Sequence, residues 1–364
     1  MLNPSGHRNQ ATRDGLRPVP HMVQGFWPGL NRFAGNRSWP PDPAVEMERF
    51  VDTAESCRLL PFVANDPDCP PSVHAAALER WGALEPVLER VSHAFDRETA
   101  GLVELLDPRD YFLFKGAAYR YRIYPDRVLR PMDDIDIVTR PDALDTILER
   151  LRAAGYRPAG GYFVREEEKD VKVEVMARLA PEERHAIDYD EIWNGLLIGP
   201  VGARHPAPHH ELVLHTMVMA GQMYFIYARK YLDLWLLAGS DSVVDEAIEV
   251  AARWKMKRVL HIAMVQLARF IGDERSLELA RRTGTLLSPP ERRFVERFVV
   301  PPSPVLLRQP RPVRAFRRLA FLDSSGSRAR SVAAKLAAMA RARREPAGTE
   351  AGRRKSPSVD GTAR

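Results

Sequence analysis

Leu129-Arg130-Pro131-Met132-Asp133-Asp134-Ile135-Asp136-Ile137-Val138 breaks at a proline and then alternates polar and apolar side chains with a period of two. That period belongs to a strand. Side chains at i and i+2 share a face, so Asp134 and Asp136 point one way while Ile135 and Ile137 point into the core. Upstream, Tyr111-Phe112-Leu113-Phe114 predicts a short buried strand closed by Lys115-Gly116, and 117–124 predicts one or two helical turns. Downstream, Leu144, Ile147, Leu148, Leu151 and Ala154 form one apolar stripe, with Pro141 suited to a first turn and Gly155 to a stop. This predicts a helix over 141–154. Tyr162-Phe163-Val164 and 171–175 predict two further strands across the charged turn 165–170. The result is a small sheet with a helix between its strands, over roughly 107–176.

The chemistry follows from alternation. In 171–176 the valines at 171, 173 and 175 take the buried face, and Asp170, Lys172, Glu174 and Met176 take the other. If this strand neighbours the first, Glu174 stands beside the aspartate pair. Three carboxylates on one sheet face repel one another, and a divalent cation neutralises them. All-oxygen ligands suit Mg²⁺ or Mn²⁺, shared with substrate phosphates. Asp134, Asp136 and Glu174 are therefore the candidate catalytic residues, and Asp134 and Asp136 the candidate metal ligands. A bare Asp-x-Asp is most often an exposed pair on an edge strand; the strand, glycine turn and helix around this one set it apart.

The flanks are helical in pattern. Residues 45–60 and 72–106 precede the sheet, and 211–226, 228–237, 243–254, 259–271 and 276–282 follow it. The expected fold is α+β, a small mixed sheet with helices followed by an all-helical domain. The expected organisation is a disordered segment over 1–43, a helical segment over 44–106, an α/β domain over 107–204, a helical domain over 205–300 and a basic, largely disordered tail over 301–364. Within the helical part, Glu211 and His215 are four residues apart and share a face, but no third ligand accompanies them and a solvated or packed helix is the expectation.

Composition bounds the remaining choices. The 364 residues are 45 % hydrophobic and 28 % charged, ordinary values for a globular chain. No window approaches eighteen uncharged apolar residues, so no membrane-spanning helix is expected. The N-terminal 43 residues have no apolar run after a basic start, so no secretory leader is expected. Cys57 and Cys69 are the only cysteines, too few for a disulfide framework, and a cytoplasmic location is the default. The formal charge of +6 is uneven: residues 301–364 hold 15 Lys+Arg against 4 Asp+Glu, leaving the first 300 residues at −5. Such a tail offers a possible contact with RNA phosphates.

Phe114-Lys115-Gly116-Ala117-Ala118, Tyr124-Pro125-Asp126, the Arg130-to-Val138 stretch and Gly155-Tyr156 together resemble the uncharacterised nucleotidyltransferase family of the polymerase-β-like superfamily. The resemblance implies transfer of a nucleoside monophosphate from an NTP to an acceptor hydroxyl, with Mg²⁺ or Mn²⁺ on Asp134 and Asp136 and with Glu174 as the third carboxylate. It implies nucleotide binding by Lys115, Gly116, Ala117 and Arg130. In the helical part, Arg229-Lys230-Tyr231 and Asp233-Leu234-Trp235 match the family's general form, which places Lys230 and Asp233 at a cleft between the two halves. Two positions depart from the superfamily: Ala117 replaces a serine after the glycine, and Met176 stands where many relatives carry a histidine. They imply the alternative of a non-catalytic descendant that binds a nucleotide or a partner. A transferase acting on tRNA through the basic tail is the other alternative.

Overall fold

The computed structural model describes Leu30, residues 44–66, 69–124, 126–167, 170–180, 184–221, 228–299 and 319–323, and single positions at 326, 329, 332 and 333. The expectations for 1–43 and for the basic tail therefore lie almost entirely outside the described residues. The chain forms two units, 1–84 and 85–364.

In the first unit, helix α1 (Ala44–Ser56) and helix α2 (Leu60–Asn65) lead into α3 (Pro71–Leu105), whose later part belongs to the second unit. The helix expected over 45–60 ends at Ser56, and a second helix, Leu60–Asn65, follows where none was expected. Arg58 adopts a left-handed φ of 58°, and Pro61, which has no N–H to donate, sits in the first turn of the second helix. Phe50, Leu60, Val63 and Val73 are buried here, and Arg80 bonds Glu55 at 2.8 Å and Asp52 at 3.1 Å.

The second unit is built around a five-stranded sheet: β1 (Tyr111–Phe114), β2 (Ile135–Thr139), β3 (Arg157–Ala159), β4 (Tyr162–Val164) and β5 (Val173–Met176). Their spatial order is β1-β2-β5-β4-β3. Only the β2–β5 pair is parallel, and it aligns Ile135 with Val173 and Asp136 with Glu174. On its other side Asp136 faces Phe114 of antiparallel β1. All five residues of β2 are buried, with Ile135 and Ile137 fully so. Strand β3 was not legible in the sequence. It is exposed, carries Pro158 and lies at a sheet edge, where a missing N–H breaks no inner ladder.

Helix α4 (Gly116–Tyr119) is a single buried turn after β1, and α5 (Leu144–Ala153) follows β2. The stripe expected on α5 is real: Ile147 and Leu151 are buried, and Gly155 ends the segment at a φ of 88° that side-chain-bearing residues rarely adopt. After β5 come α6 (Tyr189–Asn194), capped by the Asp188 carboxylate, and a hairpin of β6 (Leu197–Ile198) with β7 (Arg204–His205). The helices follow: α7 (Pro208–Gly221), α8 (Ala228–Leu237), α9 (Asp241–Arg253), α10 (Lys257–Ile271), α11 (Glu274–Gly284) and α12 (Pro289–Phe294). The sequence expectation for α8 matches its observed bounds; the expected extension of α7 to 226 falls outside the described residues. Asp323 accepts hydrogen bonds from the N–H groups of Lys257 (2.7 Å) and Arg258 (2.9 Å), which have no partner within α10 itself. Among the described residues no helix is long and apolar enough to cross a membrane.

Two buried histidines carry a pH consequence. His215 on α7 contacts the Tyr119 hydroxyl at 3.3 Å and the Lys230 carbonyl at 3.0 Å. Burial pushes its pKa down to about 4, with Asp233 opposing and Lys230 and Arg130 adding to the fall. His205 on β7 is likewise pushed down to about 4 by burial and by Arg122. A histidine whose folded pKa is depressed stays neutral while the unfolded chain takes up a proton, so its contribution to stability is lost as pH falls from about 6.5 toward 4. Replacing His215→Gln is expected to shrink the stability difference between about pH 7 and pH 4.5 by about 2–3 kcal/mol. Urea unfolding at the two pH values checks this; an unchanged difference contradicts it.

Candidate functional site

The parallel β2–β5 register assembles the site. Asp134 immediately precedes β2, Asp136 is its second residue, and Glu174 stands opposite Asp136 on β5. A ligand atom from each of the three lies within 4.8 Å of the others. Val171 and Val173 are buried as the alternation predicted, but Val175 is only half-buried, and the carboxylate face is not open: Asp136 is buried, at 2 % exposure, and Asp134 and Glu174 are half-buried. Burial, and then the Asp136 charge, raise Asp134 to a pKa of about 6; burial, and then Glu174, raise Asp136 to about 6. These acids ionise less readily than ordinary carboxylates because they crowd one another away from water. Three carboxylate oxygens in this arrangement are the donor set of a hard divalent cation, and the residues fit one. Glu211 and His215 form no such group: Glu211 bonds Arg122 at 2.6 Å, and His215 bonds Tyr119 and a backbone carbonyl.

Two lysines answer the carboxylates. Lys115 holds Asp136 Oδ1 at 2.7 Å. Burial lowers its pKa, but Asp136, Glu174 and Asp134 together more than offset this and hold it above the usual lysine value. The residue lies between β1 and α4 with φ 51° and ψ −129°, a costly conformation for a residue with a side chain. Gly116, next in the chain, has no such φ; a Cβ there would meet Met132 Sδ at 3.4 Å and Arg130 Nη1 at 3.6 Å, ordinary contacts. The side of the backbone where that Cβ would project is lined by Met132 and Arg130. Ala117 is buried in the α4 turn, and Met176 ends β5 opposite Val138. Lys230, on α8, is pushed down to about 8 by burial and by the Lys115 charge, and it in turn lowers Asp134. The two cations and the three carboxylates therefore share one field.

Arg130 is placed differently from a phosphate ligand. Its Nε and Nη2 donate to the two oxygens of Asp233 at 2.9 and 2.8 Å, and its Nη1 donates to the Pro131 carbonyl. Tyr124 also donates to Asp233, at 2.6 Å, and the arginine and aspartate are both buried. Burial raises Asp233, but Arg130, His215 and Arg229 outweigh it and hold the carboxyl below its ordinary value. Asp233 thus serves as the anchor of the segment before β2, and Lys230, on the same helix, adds its charge to the field at Asp134. Tyr162 on β4 was read from the sequence as a strand residue and not as part of the site. The antiparallel pairing of Phe163 with Val173 carries it beside Glu174, and burial followed by Asp134, Glu174 and Asp136 pushes its phenol up. Only the strand order, not the alternation within β4, could have revealed it.

A small mixed sheet with an Asp-x-Asp on an inner strand and a third carboxylate on its parallel neighbour defines an α+β nucleotidyltransferase fold. The family described as uncharacterised nucleotidyltransferase matches residues 43–272, well over half of the chain, and the protein belongs to that family. No curated protein and no solved structure matches it.

Two outcomes are expected. Mn²⁺ or Mg²⁺ raises the melting midpoint with concentration in the parent and not in Asp134→Asn/Asp136→Asn, as scanning calorimetry would show. Separately, Asp233→Ala, which strands the buried Arg130, costs about 3–5 kcal/mol, whereas Arg130→Met/Asp233→Leu costs less than the sum of its single changes. A double-mutant cycle in urea that proved additive would contradict the pairing.

Proposed function

We propose that the protein transfers a nucleoside monophosphate from an NTP to an acceptor hydroxyl and releases pyrophosphate. The observation that carries this reading is the triad of Asp134, Asp136 and Glu174 on adjacent parallel strands in a chain of the nucleotidyltransferase family. Asp134 and Asp136 would hold Mg²⁺ or Mn²⁺, which when bound supplies positive charge to the phosphate oxygens and orients them. Lys115 and Lys230 bring two cations to the same place for the charge of the triphosphate. Glu174 takes the proton of the attacking hydroxyl as its oxygen bonds the α-phosphorus and the bond to pyrophosphate breaks. Arg130 orders the segment that leads into β2 rather than touching the nucleotide. Cys57 and Cys69 are both buried, and two cysteines in a chain of this length make no disulfide framework, which accords with a cytoplasmic setting.

The test is incubation with NTPs labelled at the α-phosphate, with Mg²⁺ or Mn²⁺ and a panel of hydroxyl acceptors that includes RNA ends, small alcohols and protein side chains. Label transfer is expected, falling by about a hundredfold or more in Asp136→Asn. Tight NTP binding with no transfer to any acceptor would overturn the reading and favour the non-catalytic alternative raised by Ala117 and Met176.

A further inference from the structure

Lys115 stands where a bound cation is expected. Its Nζ lies 2.7 Å from Asp136 Oδ1, and among the described residues no other basic side chain comes within ion-pair distance of the triad. Asp136 is the most buried of the three carboxylates, so the ammonium neutralises the one that water reaches least. Lys115 does this from a pinned backbone. Its carbonyl accepts from the N–H groups of Ala118 at 3.1 Å and Tyr119 at 2.9 Å, which fixes it to the α4 turn. The side chain is the part that can move. It is 29 % exposed, its stem has four flexible carbons, and its Nζ also lies 5.8 Å from the centroid of the Phe114 ring. Phe114 is the residue of β1 that faces Asp136, so the ammonium has a second resting place beside the first.

A divalent ion on the triad competes for the same charge. Mg²⁺ sits about 2.0–2.1 Å from its oxygen ligands. An ion on Asp136 and an ammonium bonded to the same carboxylate would lie a few ångströms apart and repel. Arg130 is committed to Asp233 and does not enter the exchange. We propose that Lys115 holds the ion's place in the metal-free protein and is displaced, still protonated, when the ion binds. The displaced ammonium then becomes available to the triphosphate, so the ion binds first and prepares the phosphate site. The exchange requires that the triad hold a divalent ion; it does not require that transfer follow.

Titration of the full chain with Mn²⁺ and no nucleotide, followed by the electron paramagnetic resonance of the free ion, tests the exchange. Lys115→Met is expected to bind Mn²⁺ about tenfold or more tighter than the parent. Lys230→Met removes a charge that also acts on Asp134 but is not paired with the triad, and a smaller gain is expected from it. A second measurement uses the parent itself. Acetylation of Lys115, read by peptide mass, is expected to speed up when Mn²⁺ is added and to slow when tripolyphosphate follows. In Asp134→Asn/Asp136→Asn it is expected to ignore Mn²⁺. Equal or weaker Mn²⁺ binding by Lys115→Met, an equal gain in Lys230→Met, or Lys115 acetylation that bound Mn²⁺ leaves unchanged would overturn the exchange alone. Mn²⁺ bound by neither the parent nor Lys115→Met would overturn the ion reading of the triad, and the exchange with it.

Discussion

Crowding of negative charge is the constraint to which the rest of this molecule answers. Three carboxylates within 4.8 Å, one of them buried, cannot all ionise freely, and the raised pKa values of Asp134 and Asp136 show the strain. The fold brings compensation from two directions. Lys115 comes from the turn after β1, in a backbone conformation that a lysine adopts only when its surroundings hold it there. Lys230 comes from α8 in the helical part. Neither lysine would be so placed by its own local sequence, and both are explained by the field they enter.

The helical part holds the sheet's approach segment by a set of buried polar ties. Arg122 meets Glu211, Tyr119 meets His215, and Arg130 with Tyr124 meets Asp233. Each pair joins the stretch between β1 and β2 to α7 or α8. Buried pairs of this kind contribute little net stability against an apolar replacement, but they are intolerant of losing one member. Their effect is to fix position. Asp233 holds the segment that leads into Asp134, and three residues before it on the same helix stands Lys230, whose charge acts on Asp134.

Much of this was legible in the sequence, for reasons particular to each element. The period-two run at β2, the aromatic run at β1 and the apolar stripe of α5 each state their structure locally, because burial on one face imposes its own period. The early end of α1 and the short helix α2 were missed: the expected first helix runs on to residue 60, and Pro61, which marks the first turn of α2, was not taken as a helix start. Strand β3 was hidden because an exposed edge strand has no burial pattern to show. Arg130 read naturally as a phosphate ligand, since a lone arginine near an acidic site has no visible partner in sequence; its partner lies 103 positions away.

The sequence alone therefore determined which side chains share a face: Asp134 with Asp136, and Glu174 with Lys172 and Met176. Alternation is a property of a single strand and needs no partner. Only the tertiary structure decided that β2 and β5 lie side by side, parallel and in the register that sets Asp136 against Glu174. It also decided that Arg130 turns to Asp233 and that the charges of Lys115 and Lys230 both act on Asp134. Electrostatic partners are chosen by distance in space, and spacing along a chain does not encode it.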